Sequence, residues 1–197
     1  MEVLVKRFNI ARWVVFAVIS TLTSVTYAIE NYSFDQSHSY VDWKISHFGY
    51  SSPSGKWYVQ GKLQLDKNKP QDSKVSATID VAAIVTGLPK LDKHLKGALF
   101  FDVAKYPTAT FVSDTVTVTG EKNASVHGEL TLHGVTKPVT LNVSLNKVGV
   151  SPVTDKMTAG FSATTNIKRS DFGMNSLPGL GDDVKLTIEA EAIKDTK

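Results

Sequence analysis

A chain of 197 residues that is 42% hydrophobic has enough apolar material for one domain with a real core. Its 22 basic and 19 acidic side chains give a formal charge of +3, too small an excess to argue for a nucleic-acid surface. There is no cysteine, so stability must come from packing and backbone hydrogen bonds rather than disulfides.

Residues 1–28 read as a secretory signal peptide. Lys6, Arg7 and Arg12 precede 13 largely apolar residues from Trp13 to Val25, and Thr26-Tyr27-Ala28 offers a small-residue cleavage site. The apolar run is shorter than the roughly 20 residues a spanning helix needs. Cleavage after Ala28 predicts a mature domain of 169 residues, 29–197, with 19 basic and 18 acidic residues and a formal charge of +1.

In the mature part, apolar residues recur with a period of two, the signature of strands with one buried and one wet face. In chain order the buried phases are Val41, Trp43 and Ile45; Trp57, Val59, Leu63 and Leu65; Val75, Ala77, Ile79 and Val81; and Ala109 with Phe111, then Val116 and Val118. Leu130 and Leu132 follow, then Val139, Leu141, Val143 and Leu145; next come Met157, Ala159, Phe161, Ala163 and Ile167, and last Val184 to Ala192. These are eight predicted strands. Turn signals separate them at 52–55, 68–70, 120–123, 134–138 and 151–152. Eight such strands form either a closed barrel or a two-sheet sandwich, and the pattern does not choose. Gly61, Ala77, Gly128, Ala159, Ala163, Ala190 and Ala192 fall in the inward phase. They imply either an apolar hollow or strand bends and room for large neighbours.

Two segments interrupt the alternation. Between Ala83 and Pro107, Leu88, Leu91 and Leu95 recur at helical spacing and predict a short amphipathic helix. Lys168 to Asp183, KRSDFGMNSLPGLGDD, is too long and too rich in Gly and Pro for a simple turn. Long ordered loops are often functional, and either segment is placed to cover a barrel mouth.

Four blocks, YSFDQSHSYVDWKISHFGY, LDKHLKGALFFDVAKYPTATF, GELTLHGVTKPVTL and KRSDFGM with GDDVKLTIEAEA, occur in the order of the YceI-like family, which the mature chain resembles over almost its whole length. The resemblance implies an all-β fold: an eight-stranded antiparallel lipocalin-like barrel with the short helix and long loop near its mouth. It implies export to the periplasm and an interior that holds a polyisoprenoid or related lipid, such as a quinone tail, a polyprenyl pyrophosphate or a fatty-acyl chain. No cofactor is required beyond a bound isoprenoid or quinone, and no nucleic acid is a partner; transient contact with a membrane or membrane protein and a homodimer are further expectations. One departure is Lys168, where the family more often has Asn.

The candidate ligand-binding residues are Trp43, Ile45, His47, Trp57, Phe111, Leu130, Leu132, Phe161, Arg169 and Phe172. No catalytic or metal-ligating residue is assigned. The chain has no G-x-S-x-G elbow, H-E-x-x-H or P-loop, and Gly179 with Gly181 lacks the third glycine of a dinucleotide fingerprint. His127 and His133, six residues apart on one strand, would stand ~20 Å apart, too far to share a metal. His47, in phase with Ile45, is read either as a ligand contact or as a buried, backbone-bonded histidine. His38, Asp92 and His94 recur in the family blocks, with loop bonding or capping as their ordinary uses. A ligand's polar end belongs at a mouth, so Lys93, His94, Lys96, Lys168 and Arg169 form an expected cationic rim; Arg169 either orients an anionic head or pairs with Asp171, Asp182 or Asp183. The expected function is a carrier or storage protein for an isoprenoid lipid, not an enzyme; the alternatives are a lipid-modifying enzyme with the same cavity and a structural barrel.

Overall fold

The computed structural model describes residues 29–196. The expected signal peptide, 1–28, lies outside them. Nine strands, β1 (Glu30–Phe34), β2 (Tyr40–Ile45), β3 (Ser54–Leu65), β4 (Lys74–Asp80), β5 (Thr108–Val118), β6 (Asn123–Leu132), β7 (Val135–Val150), β8 (Met157–Lys168) and β9 (Asp183–Lys194), pair antiparallel throughout. The one described α-helix, α1 (Pro89–Leu95), sits between β4 and β5.

The sheet closes on itself. β1 and β2 each pair with β3 on one side and β9 on the other, so they lie end to end in one position of an eight-position barrel. The five residues between them step out of the ladder, and the fully buried Ser39 repairs the gap: its hydroxyl donates to the Glu191 carbonyl at 3.2 Å and accepts from the Glu191 amide at 3.1 Å. β1 is the strand that the period-two pattern did not reveal.

Two bulges, between Ser113 and Thr115 on β5 and between Leu145 and Lys147 on β7, reverse the inward phase. An extra residue on one strand does this by geometry. Past the second bulge, Val148 rather than Lys147 points inward, opposite Ala159, and β7 runs on to Val150 instead of ending at Leu145. The β6–β7 turn is tighter than expected, with only His133 (φ 51°) and Gly134 (φ 74°) in it, the primed geometry that suits a two-residue hairpin. Pro138 thus lies within β7, before pairing with β8 begins at Asn142, where a missing N–H costs no ladder bond.

The interior has two layers. At one end Tyr32, Leu63, Leu65, Ala159 and Ala192 form a core with Phe34, Val75, Val148, Met157 and Phe161 against it. Over this core Glu30 takes the Tyr32 hydroxyl (2.8 Å), Lys67 (2.7 Å) and Lys194, closing that end with charge. At the other end Trp43, Trp57, Val81, Ile84, Leu95 and Ala109 form a second cluster. Between the layers the small residues are filled rather than hollow. A Cβ on Gly61 would stand 2.6 Å from the Phe34 ring, and one on Gly128 2.7 Å from Phe111 Cζ. The glycines make room for these two rings.

Candidate functional site

At the end of the barrel that holds Trp43 and Trp57 lies an apolar cavity of about 210 Å³. Its wall comes from inward positions of β2, β3, β4, β5, β6, β8 and β9, including Trp43, Trp57, Ile79, Leu132 and Leu186, and its rim from Leu91 and His94 of α1, Phe100, and Leu177 and Leu180 of the long loop. Strand residues reach it because alternate side chains point inward. Many of them, Ile45, Ile79, Leu130, Leu132, Val184 and Leu186 among them, are half-buried, whereas the opposite end holds side chains with no exposure at all. The unfilled volume and the half-buried wall are the same fact seen twice.

Two indoles anchor the wall at 6.3 Å between ring centroids. Trp57 Nε1 donates to the Val81 carbonyl at 3.1 Å and stacks edge-on with Phe101. Trp43 lies over Gly55, where a Cβ would come within 2.8 Å of its ring, and its Nε1 is buried without a partner among the described residues. The short helix is tied down by Asp92, whose Oδ1 accepts from the Thr86 amide (2.8 Å) and hydroxyl (2.6 Å). That is loop bonding rather than an N-cap. Leu95 is buried, but Leu88 sits before the helix and faces solvent, so only part of the expected leucine stripe is covered.

Of the residues singled out in the sequence, Trp43, Ile45, His47, Trp57, Leu130, Leu132 and Arg169 line this cavity. Phe111 packs against Gly128 outside the lining, Phe161 packs at the closed end, and Phe172 is buried, its carbonyl accepting from His133 Nδ1 at 3.0 Å. His47 is not a buried histidine. It is exposed, just past β2, with its ring edge-on to Phe48 at 4.7 Å. His94 is likewise exposed at the rim, edge-on to Phe100 at 4.9 Å. His38 and His127 lie off this cavity's lining and bond to Asp35 and Asp114, each at 2.8 Å; both carboxyl groups are held below their usual range chiefly by these histidines.

Arg169 departs from both sequence readings. It makes no ion pair among the described residues; its five N–H donors go to five backbone carbonyls of the long loop, Gly181 (2.8 Å), Ser176 (2.8 Å), Leu180 (3.3 Å), Leu177 (3.4 Å) and Met174. A guanidinium has no further donors. The neighbouring acids are used otherwise: Asp183 pairs with Lys168 at 2.8 Å, and Asp182 accepts from the Ser170 amide and hydroxyl, which are the main reason its carboxyl is held low. Arg169 therefore builds the wall segment that carries Met174, Leu177 and Leu180, three cavity residues that strand periodicity could not reveal.

The match to the YceI-like domain runs from residue 32 to residue 192. The chain belongs to the YceI-like family. A UPF0312 protein of Pseudomonas putida strain W619 is 44% identical over 158 residues, covering 80% of this chain and 82% of its own length. One from Pseudomonas fluorescens strain SBW25 is 40% identical with the same coverage. Among solved structures, Burkholderia cenocepacia BcnA is similar with a TM-score of 0.72 at 25% identity over 80% of this chain and 98% of that one. The Campylobacter jejuni YCEI protein gives 0.69 at 29% identity over 77% and 90%. A polyisoprenoid binding domain from Saccharophagus degradans, only 16% identical over 83% and 98%, shares the fold with a TM-score of 0.66. The eight-stranded antiparallel barrel expected from the sequence is the architecture these proteins share with this chain.

Proposed function

We propose that this chain is a periplasmic carrier or storage protein whose barrel holds the apolar chain of an isoprenoid lipid, with quinones and fatty-acyl lipids in the same chemical class. One observation carries the reading: an unfilled cavity walled almost wholly by aliphatic and aromatic side chains, whose titratable lining residues among those described are His47, His94 and Arg169. Two rim histidines and a guanidinium committed to loop carbonyls suit binding better than acid–base chemistry on a substrate. Family membership and the polyisoprenoid-binding neighbour point to the same ligand class. Export rests on the N-terminal leader, and intact mass of periplasmic material should begin at Ile29.

The cavity's size bears on how the ligand lies. About 210 Å³ is below the ~300–1,000 Å³ usual for ligand sites, so a long chain is enclosed only over a segment. The test is mass spectrometry of an organic extract of the periplasmic protein, beside Val184→Phe, which places a ring into the cavity from its wall. The wild type should yield a stoichiometric chain lipid and the variant little, with the variant melting no lower than the delipidated wild type. No chain lipid in the wild-type extract, with unchanged uptake of a reconstituted isoprenol by the variant, overturns the reading.

A further inference from the structure

The cavity rim bears exposed apolar side chains. Phe48 (43% exposed), Tyr50 (92%), Leu88 (61%), Leu99 (56%) and Leu177 (40%) project from the turn after β2, the start of α1, the segment after α1 and the long loop. Each lies within three residues of a cavity-lining residue: His47, Leu91, Phe100 or Leu177 itself. The first and last of these loops touch, since a Cβ on Gly179 would stand 3.2 Å from the Phe48 ring and one on Gly181 2.9 Å from the Ser46 carbonyl. The tips therefore belong to one end of the barrel.

Two of these tips are held where a side chain is disfavoured. Phe48 and Leu177 have φ of 53° and 61°, left-handed backbone that bulky residues rarely adopt, and both keep about two-fifths of their surface in solvent, Phe48 against His47 and Leu177 at the cavity rim. Beside them α1 exposes Lys90 and Lys93 without an ion pair among the described residues, and the helix's one acid, Asp92, is turned inward onto Thr86. Apolar tips on separate loops, with lysines at the same level, match the apolar interior and anionic surface of a bilayer better than they match the continuous groove a peptide would need.

We infer that the open end of this barrel docks on an anionic lipid bilayer, inserting Phe48, Tyr50, Leu88 and Leu99 while Lys90 and Lys93 meet the headgroups. Docking would set the cavity against the leaflet, so that an apolar chain moves between membrane and barrel without crossing water. The transfer step rests on the carrier reading above; the docking does not.

The experiment uses protein recovered from the periplasm and sedimented with vesicles of phosphatidylcholine, with or without phosphatidylglycerol. Lys90→Gln/Lys93→Gln should weaken partitioning into anionic vesicles about 30-fold, roughly fivefold per lysine, and leave neutral vesicles nearly unaffected. Phe48→Ser/Tyr50→Ser should weaken partitioning into both kinds by about tenfold or more. These side chains are exposed, so melting temperatures should match the wild type; if the aromatic pair alters folding, Leu88→Ser/Leu99→Ser replaces it. Docking is overturned if the wild type partitions into neither vesicle, if all variants partition alike, or if sedimentation shows a dimer that the same substitutions dissolve with no vesicle binding. Vesicle binding by a protein whose organic extract holds no chain lipid leaves docking standing and removes only the carrier reading.

Discussion

Replacing Arg169 by Gln takes away the fork that organises residues 174–181. Three of its bonds, to the carbonyls of Gly181, Ser176 and Met174, are short; the other two, at 3.3 and 3.4 Å, are weak. At about 1.5 kcal/mol for each short, charge-assisted bond, the loop loses roughly 4–5 kcal/mol, of which a glutamine amide recovers one bond, for a net loss of about 3 kcal/mol. Because the loop can open without unfolding the barrel, that loss appears as local opening, about 10²-fold more frequent. Hydrogen exchange should therefore accelerate by that factor at the amides of Met174 and Gly181, which bond to the Arg169 and Ser46 carbonyls, while ladder amides of β8 and β9 stay protected. Arg169→Lys keeps the charge, but a single ammonium cannot span five carbonyls, so it should behave nearly as badly. Unchanged exchange in Arg169→Gln, or full protection in Arg169→Lys, would refute the argument.

Other expectations concern the closed end and the inward glycines Gly61 and Gly128. Hydrogen bonding from Lys194 foremost, then Lys67 and Tyr32, lowers the Glu30 carboxyl from 4.5 to about 2. A carboxyl depressed in the fold adds stability that is fully present above its unfolded value of 4.5 and is lost as pH falls through about 2. Unfolding free energies of wild type and Glu30→Gln in urea should thus differ by about 1–2 kcal/mol at neutral pH, a figure discounted for the solvent that reaches the lysines, and converge in that acid window; a gap independent of pH contradicts the ion network. Gly61→Ala and Gly128→Ala each force a methyl against a ring and against backbone, Ser76 O at 2.7 Å in the first case and Ser113 Cα at 2.8 Å in the second. Each should cost about 1–3 kcal/mol and lower the melting temperature by roughly 2–4 °C per kcal/mol, and neutral substitutions would show that the rings are not seated there.

The strands were legible because a closed antiparallel sheet imposes one local rule, inward then outward, on almost every residue of β2 to β9. β1 escaped that rule for a local reason: it offers only Tyr32 and Phe34 as inward apolar positions before the chain steps out at residues 35–39. The run of β7 to Val150 escaped because the bulge after Leu145 reverses parity, which reads as the end of a strand. Strand phase also placed Trp43, Trp57, Leu130 and Leu132 on the cavity side. It could not show that Phe34 fills the place of Gly61, 27 positions away, nor that Arg169 would choose carbonyls over the carboxylates beside it, since backbone acceptors leave no mark in a sequence.

The 210 Å³ of unfilled apolar space forgoes packing contacts that a filled interior would make. The closed end of the same barrel is filled, with Tyr32, Ala159 and Ala192 wholly buried, so the fold is able to pack tightly and does not do so under the rim. A chain lipid that occupies the space recovers part of this packing and stabilises the native state by mass action. The delipidated wild type should accordingly melt lowest, Val184→Phe above it, and the lipid-loaded wild type at or above the variant. Stripped and loaded wild type melting together would mean that the cavity is not where the lipid resides.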